Sequence, residues 1–416
     1  MASYFLCELN IDYFLLSNEN WELSYCYKVF RQSHHTVIPA KLVLAEAGSG
    51  NPGIKQASDE ASNKLLSKNL FKIDKRLGLN NGLVVKKQKS KTRNSLNVLF
   101  TCIGRRVSLL NSFRRAAKQL KINAAFFGTD TTGLSSALQL CDEGFLVQPT
   151  THPGYIRQLL SIVKANRVKL LVPTVDLDLK VLARNKPKFT AAGCHVLVSA
   201  PEVVDICQDK RKTYRFLVKN GFDTALTMGV RSALSKKKLN WPCFLKPWDG
   251  YAGRENALVK NRTELLFYAK RIKNAICQEF IKGTEYSCDV YVDFCLKVRC
   301  VVPRKRIEIR AGEVSKGQVV KNPRIMSDAA MLVEALGAGP GVITLQLFLT
   351  DDNRVKFIEI NPRFGGGAPL SIKAGADFPK WILQELSGKK TNIRFDGFKD
   401  NLIMLRYDCE VWLKNP

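Results

Sequence analysis

A doubly wound parallel α/β domain followed by an α+β domain is the fold class this sequence predicts, behind an N-terminal extension of different character. Three observations lead there. From Leu96 to about residue 200, short apolar runs alternate with amphipathic stretches of helical period. Such alternation implies crossover connections and a parallel sheet covered on both faces. After Pro201 the pattern changes to paired helices and then a long strand-rich run, while residues 1 to 94 show neither pattern.

The extension comes first. "MASYFLCELNIDYFLLSNENWELSYCYKVF" is aromatic-rich and could form a hairpin or a short amphipathic piece. Its acids from Glu8 onward, with no basic stretch before a small-residue cleavage site, make it a poor secretory signal and disfavour an organellar transit segment without excluding one. "EAGSGNPGIKQASDEASNK" reads as a linker, and "VVKKQKSKTRNS" (84–95) as a solvated basic spacer.

In the α/β block, "NVLFTCIG", "AAFFGTD", "GFLVQP", "RVKLLVPTVD" and "CHVLVS" read as five strands. The first intervening helix, "RRVSLLNSFRRAAKQL", carries Val107, Leu109, Leu110, Phe113, Ala117 and Leu120 along one stripe. The turn "TCIGRR" has one glycine where a dinucleotide site needs G-x-G-x-x-G, so no nicotinamide cofactor is expected. Arg105 and Arg106 stand at a helix start, where the dipole disfavours cations unless a ligand compensates; an anion there is preferred over plain solvation. Asp176 and Asp178 follow a strand's carboxyl end, either as ligand contacts or as caps of the next helix.

The α+β block opens with two helices in "PEVVDICQDKRKTYRFLVKNG", the second closed by Gly221. A strand "CFLKP", a loop "WDGYAGRE", a strand "ALVK" and a helix "TELLFYAKRIKN" follow, then the strands from Ile276 to Arg310. A helix "MSDAAMLVEALG" leads into a hairpin, "GVITLQLFLTDDNRVKFIEINP". Folding that hairpin about Asp351, Asp352 and Asn353 sets Gln346 close to opposite Glu359. Strand alternation then puts Glu359, Asn361 and Arg363 on one face, with Ile358, Ile360 and Pro362 packing inward. Gln346, Glu359 and Asn361 make a weak site for magnesium, which prefers oxygen and completes its octahedron with phosphates. Lys210, Lys246 and same-face Arg304, Arg306 and Arg310 are the cations available to hold those phosphates, with Glu308 as a neutralising partner and Ile307 and Ile309 packing behind. The three glycines 365 to 367 serve either positive φ angles or, preferably, close approach of a substrate.

Five pieces in order, "DKRKTYRFL", "PCFLKPWDGYAG", "QEFIKGTEYSCDV", "ITLQLFL" and "FIEINPRFGGG", make residues 96 to about 410 resemble the ATP-grasp superfamily. Within it, the chain is similar to the branch of the carbamoyl-phosphate synthase large chain and the pyrrolysine-pathway ligase. The resemblance implies a Rossmann-like pre-ATP-grasp domain at 95–205 and an ATP-grasp domain at 206–416, after the extension and basic linker at 1–94. The ATP-grasp domain would have two α+β lobes, a lid-bearing one at about 228–282 and a catalytic one at about 283–410. It implies that Lys210 and Lys246 contact ATP phosphates under a cover loop containing Asp249, Gly250 and Gly253. The hinge Glu279–Phe280–Ile281 would meet adenine, and Glu285 the ribose. Gln346, Glu359 and Asn361 would bind Mg²⁺, with Mn²⁺ as a substitute, and Arg363 would steady the transferred phosphoryl group. Arg254 and Tyr251 depart from the glycine-rich cover loops of relatives. Only one synthase-like half and no nucleophilic cysteine motif occur, so carbamoyl phosphate from glutamine is not the expected product.

The expected activity is an ATP-dependent carboxylate–amine (or thiol) ligase acting through an acyl phosphate, with Arg304, Arg306 and Arg310 on the acceptor acid. The alternatives are a kinase of a small carbamate-like acid, and a tRNA- or RNA-binding protein or ligase on the same scaffold. The last follows from the net charge of +28, a field that draws polyanions. Of 416 residues 45% are hydrophobic, and no run of eighteen apolar residues occurs, so no membrane partner is expected. Twelve scattered cysteines and four histidines, with no C-x-x-C, point to free thiols in a reducing, cytoplasmic setting and away from zinc. A homodimer is an open expectation.

Overall fold

The computed structural model describes residues 95–250 and 255–414, together with the backbone of three short strands ahead of them. Expectations for the extension and for Tyr251, Gly253 and Arg254 otherwise lie outside the described residues. Met1–Asp74 and Lys75–Pro416 are separate compact units; in the first, β1 (Leu15–Leu16) pairs antiparallel with β2 (Tyr25–Cys26).

The second unit begins with a six-stranded sheet ordered β3-β6-β5-β4-β7-β8. Its strands are β3 (Val84–Lys86), β4 (Asn97–Thr101), β5 (Phe126–Asp130), β6 (Glu143–Leu146), β7 (Val168–Pro173) and β8 (His195–Val196). The five strands expected from the apolar runs pair in parallel. β3 was expected to be part of a solvated spacer; its backbone instead pairs antiparallel with β6 at the sheet edge. β4 is buried along its whole length, as a central strand covered on both faces must be. One face is covered by α1 (Val107–Gln119), which buries Leu109, Leu110, Phe113 and Ala117 of the predicted stripe. The other carries α3 (Tyr155–Ala165) and α4 (Leu179–Ala191), after the short α2 (Ser136–Gln139).

The predicted helix pair follows as α5 (Pro201–Gln208) and α6 (Lys210–Lys219). Asp209 separates them because its carboxylate accepts from the Arg211 N–H, capping α6 at 2.9 Å. A small antiparallel sheet, β11-β10-β12-β9, comes next, built from β9 (Thr227–Gly229), β10 (Cys243–Pro247), β11 (Ala257–Val259) and β12 (Ala275–Glu279). Helices α7 (Val230–Ser235) and α8 (Arg262–Arg271) cover one face. Alternation along β10 sends Cys243 and Leu245 into that covered face and Phe244 and Lys246 to the opposite one.

The large sheet is antiparallel, ordered β17-β16-β13-β14-β15-β18. It comprises β13 (Thr284–Val292), β14 (Val298–Arg310), β15 (Glu313–Val319), β16 (Gly341–Leu349), β17 (Val355–Asn361) and β18 (Ile403–Leu405). α9 (Pro323–Leu336) packs against it and stops at Gly337, whose φ of 62° is a left-handed cap. α10 (Ala368–Lys373) and α11 (Phe378–Leu386) return the chain toward α1.

One apolar core runs from the α1 face of the parallel sheet into the large sheet. Phe113 is its link: fully buried, it meets the Phe100 ring edge-on at 5.2 Å and that of Phe364 at 6.0 Å. Phe364 belongs to the segment leaving β17, so the core of the first domain supports the polar strand end of the second. Phe113→Ala should lower the unfolding free energy by about 3–5 kcal/mol, the usual cost of truncating a buried phenylalanine. Urea denaturation read by tryptophan fluorescence measures it, and a loss under about 1 kcal/mol would mean that the two domains do not share this core.

Candidate active site

A cavity of about 1090 Å³ lies between the uncovered face of the small sheet and the large sheet, with the loops at 105–106 and 175–177 closing one end. β10 brings Lys246 to it, β13 brings Glu285 and Ser287, β14 brings Arg304 and Arg306, and β16 and β17 bring Gln346, Glu359 and Asn361. Lys210, Gly250, Glu279, Phe280, Ile281 and Arg363 also line it.

The hairpin pairs Gln346 directly opposite Glu359, and Thr344 opposite Asn361. A β-bulge falls at Ile358, between the Glu359 and Phe357 pairings. It resets the alternation, so Ile360 is 1% exposed in the core whereas Ile358 lines the cavity instead of packing inward as expected. A polar triad with one apolar neighbour results. Among the described residues no group of three or more His, Cys, Asp or Glu side chains comes together. The Gln346–Glu359–Asn361 set, with one formal charge, therefore suits a hard divalent ion that arrives with phosphate oxygens.

Burial pulls the Lys246 ammonium down to about 8, against the carboxylates of Glu359 and Glu285. Burial likewise raises Glu285, opposed by the Arg306 guanidinium 3.2 Å away. Lys210 donates to the Gly250 carbonyl, tying α6 to the start of the cover loop. Between β12 and β13, Phe280, Ile281 and Lys282 enter none of the backbone hydrogen bonds formed by the described residues. This leaves peptide edges for a planar heterocycle. The Glu279 carboxylate is held by Lys356.

The three β14 arginines part company. Arg304, 1% exposed, forms a bidentate pair with Asp289 at 2.8 and 2.8 Å. Its Nη1 is buried without a hydrogen-bond partner, whereas Arg306 Nε lies 3.2 Å from the Glu285 carboxylate; both residues line the cavity. An orphan guanidinium donor in a cavity fits an anion. Arg310 does not join them: register shifts after Arg306 turn the strand, and Arg310 pairs with Asp408 on the surface. For the same reason Ile307 and Ile309 are 49% and 45% exposed rather than packed behind, and Glu308 pairs with Lys316 at 2.6 Å. Asp249 is also outside the cavity, accepting from Asn274 at 2.9 Å.

Arg363 closes the cavity end through Asp176 at 2.5 Å and donates to Asn361 Oδ1 at 3.2 Å. Burial opposes its charge, but the Asp176 carboxylate holds the guanidinium above its ordinary pKa. Arg106 pairs with Glu313 at 2.9 Å, and Arg406 meets the other oxygen of that carboxylate at 3.0 Å. The three glycines answer to these neighbours rather than to positive φ, which none of them adopts. A Cβ at Gly365 would lie 2.8 Å from Thr344 Oγ1, at Gly366 2.7 Å from Glu313 Cδ, and at Gly367 2.0 Å from Arg304 Nη1. Protein side chains, not substrate, require them.

Glu313 and Thr344 escaped the sequence reading as parts of this network, and Asp289, open to reading as a site acid or as a cap on an exposed edge, is instead the buried partner of Arg304. The available signal was an acid at the centre of the apolar strand "YSCDVYV", which a buried partner must compensate. Asp178 differs from both readings of it. At the N-cap of α4 it makes no capping bond; its buried carboxylate accepts from Thr101 at 2.5 Å and from Tyr155 at 3.3 Å.

Residues 98–197 match the family model described as PylC-like, N-terminal domain, and residues 207–367 the model described as ATP-grasp domain. By these matches, residues 98–197 are similar to a PylC-like N-terminal domain and residues 207–367 to an ATP-grasp domain. A carbamoyl-phosphate synthase of Methanobrevibacter smithii is 26% identical over 158 residues, 37% of this chain and 42% of that relative, so the match spans less than half of its length. Among solved structures, the L-amino acid ligase of Bacillus licheniformis aligns with a TM-score of 0.55 at 19% identity, covering 71% of this chain and 75% of that one. Carboxyaminoimidazole ribonucleotide synthase of Aspergillus clavatus, complexed with ATP, aligns at 0.58 with 17% identity, covering 75% and 82%. The biotin carboxylase domain of Hydrogenobacter thermophilus 2-oxoglutarate carboxylase, bound to MgADP and bicarbonate, aligns at 0.59 with 16% identity, covering 75% and 74%. The likeness is one of fold. No helix among the described residues is long and apolar enough to cross a membrane.

Burial raises Asp178 from 3.8 to about 6, so the fold favours its protonated form. Stability from this group is then greatest below its unfolded value and falls as pH rises through the folded one, by about 3 kcal/mol in all. Asp178→Asn keeps an acceptor oxygen and removes the titration. The stability of the variant relative to wild type should therefore rise by roughly that amount between about pH 4 and pH 7. Parallel urea-denaturation curves across that range would contradict the assignment.

Proposed function

We propose that the cavity binds ATP with Mg²⁺ and that the protein is a ligase, joining a small carboxylic acid to an amine (or thiol) through an acyl phosphate. One observation carries this reading: an amide–carboxylate–amide set on paired strands shares a single cavity with an orphan guanidinium donor of Arg304 and a buried lysine. The PylC-like and ATP-grasp domain matches support it.

Lys210 and Lys246 meet the phosphates, the peptide edges of residues 280–282 meet adenine, and Glu285 takes the ribose hydroxyls. Gln346, Glu359 and Asn361 would hold the metal, which would supply neutralisation of phosphate charge. Arg363, fixed by Asp176, the free Nη1 of Arg304 and the neighbouring Arg306 guanidinium orient the acceptor carboxylate and steady the charge on the phosphoryl group. The carboxylate oxygen attacks the terminal phosphorus and ADP departs. The amine then attacks the acyl carbon, inorganic phosphate leaves with the C–O bonding pair, and the amine loses a proton to solvent. Positioning and electrostatics suffice for both steps, so no nucleophilic side chain is required.

The acid and the amine are identified by tests of turnover. Release of ADP should require both an acid and an amine from a screened panel. Glu359→Gln, with an unchanged far-UV spectrum, should reduce it by about 100-fold or more. Full turnover by that variant would contradict the reading. ADP formation with a stable acyl phosphate and no amine requirement would make the protein an acid kinase instead.

A further inference from the structure

The small lobe holds more positive charge than the cavity uses. Residues 228–282 contain 12 lysines and arginines against 4 acids. Only Lys246 and Lys282 of those cations line the cavity among the described residues. The others among the described residues lie on or beside α7 and α8, which cover the opposite face of the small sheet. Arg231, Lys236, Lys237 and Lys238 on and after α7, and Lys270 and Arg271 at the end of α8, are all exposed. None of these six has a carboxylate partner among the described residues. The Arg262 guanidinium donates to the carbonyls of Leu234 at 2.5 Å and Lys236 at 3.2 Å, fixing the three-lysine segment beside α8. Glu264, the acid on this face, is engaged in the capping box of α8, accepting from Lys260 N and Asn261. Aromatic rings stand among the cations: Phe267 is 52% exposed with Arg271 over it at 5.1 Å, and Trp241 is 37% exposed.

Like charges held this close repel one another unless a polyanion relieves them. Phosphates at regular spacing with bases free to stack are the matching chemistry, since cations track the backbone and exposed rings take base faces. An anionic bilayer matches less well. Interfacial binding needs a continuous apolar face, whereas on α8 the exposed apolar residues are the adjacent Leu266 and Phe267, and Leu265, Tyr268 and Ala269 pack into the lobe's own core.

We propose that the helical face of the small lobe is a docking surface for single-stranded nucleic acid. It lies on the far side of the sheet from Phe244 and Lys246, so it operates apart from the cavity and does not rest on the ligase reading.

Fluorescence anisotropy of the full chain with a labelled 20-mer of uridylate tests this, titrated from about 25 to 200 mM KCl. Affinity should fall with salt with a logarithmic slope near −3, corresponding to about four phosphates. The triple variant K236E/K237E/K238E should bind at least about tenfold more weakly and with a slope shallower by about 2. Phe267→Ala should weaken binding about tenfold with the slope unchanged. A matched reversal on the first domain, R157E/K164E/K188E, should bind as wild type does. Unchanged affinity in the lobe triple, or equal losses in both triples, overturns the proposal. So does failure to bind the 20-mer when vesicles containing phosphatidylserine are bound through the same lysines. Melting curves for each variant separate lost binding from lost folding.

Discussion

The candidate site is organised around a buried ion pair. Asp289 and Arg304 are 0% and 1% exposed at the side chain, on neighbouring strands of the large sheet. An unpaired charge at such depth would be strongly destabilising. Asp289 is accordingly saturated: beyond the two bonds from Arg304, it accepts from Thr344 at 2.9 Å and from Ser371 at 2.7 Å. These contacts bind β13, β14, β16 and α10 at one point. Arg304 is not saturated, and its free Nη1 is both the edge offered to the cavity and the atom that excludes a side chain at residue 367. The glycine run, the strand end and the anion-facing donors are thus parts of one packing arrangement.

A second carboxylate does the same for the cavity wall. Glu313, on β15, is pulled below the usual carboxylate range by Arg106 and Arg406 despite the opposing effect of burial. One of those arginines belongs to the first domain and the other follows β18, so the charges that surround the acceptor end come from three distant stretches of sequence. Asp176 and Arg363 add a second ion pair between the two domains. With both acids paired to guanidiniums, the unpaired donor at this end, Arg304 Nη1, is cationic, which is why an acid rather than an amine is proposed there.

The sequence conveyed local structure well and cross-strand geometry less well. Five parallel strands were legible because each is a short apolar run between helical stretches, with the central β4, β5 and β7 buried almost throughout, and α1 because its stripe has helical period. Gln346 could be set opposite Glu359 because the turn fixes the register of a hairpin. The failures share one cause. Ile358, Ile307, Ile309 and Arg310 all lie at or just beyond β-bulges, and one inserted residue reverses which face every later side chain presents. Bulges leave no composition signal in these stretches. The Asp289–Arg304 pair was hidden differently: its members lie 15 positions apart on strands whose pairing is set by the sheet. The glycines were recognised as special but for the wrong reason, because the side chains crowding them come from residues 106, 304, 313 and 344.

The central claim is that the amide–carboxylate–amide set and the facing cations together take up a nucleotide with its metal. Isothermal titration calorimetry of the full chain with ADP, run with and without magnesium, tests it most directly. The account requires saturable heat with one site per chain that weakens when magnesium is withheld. Absence of heat from protein with an intact, cooperative melting transition would contradict it.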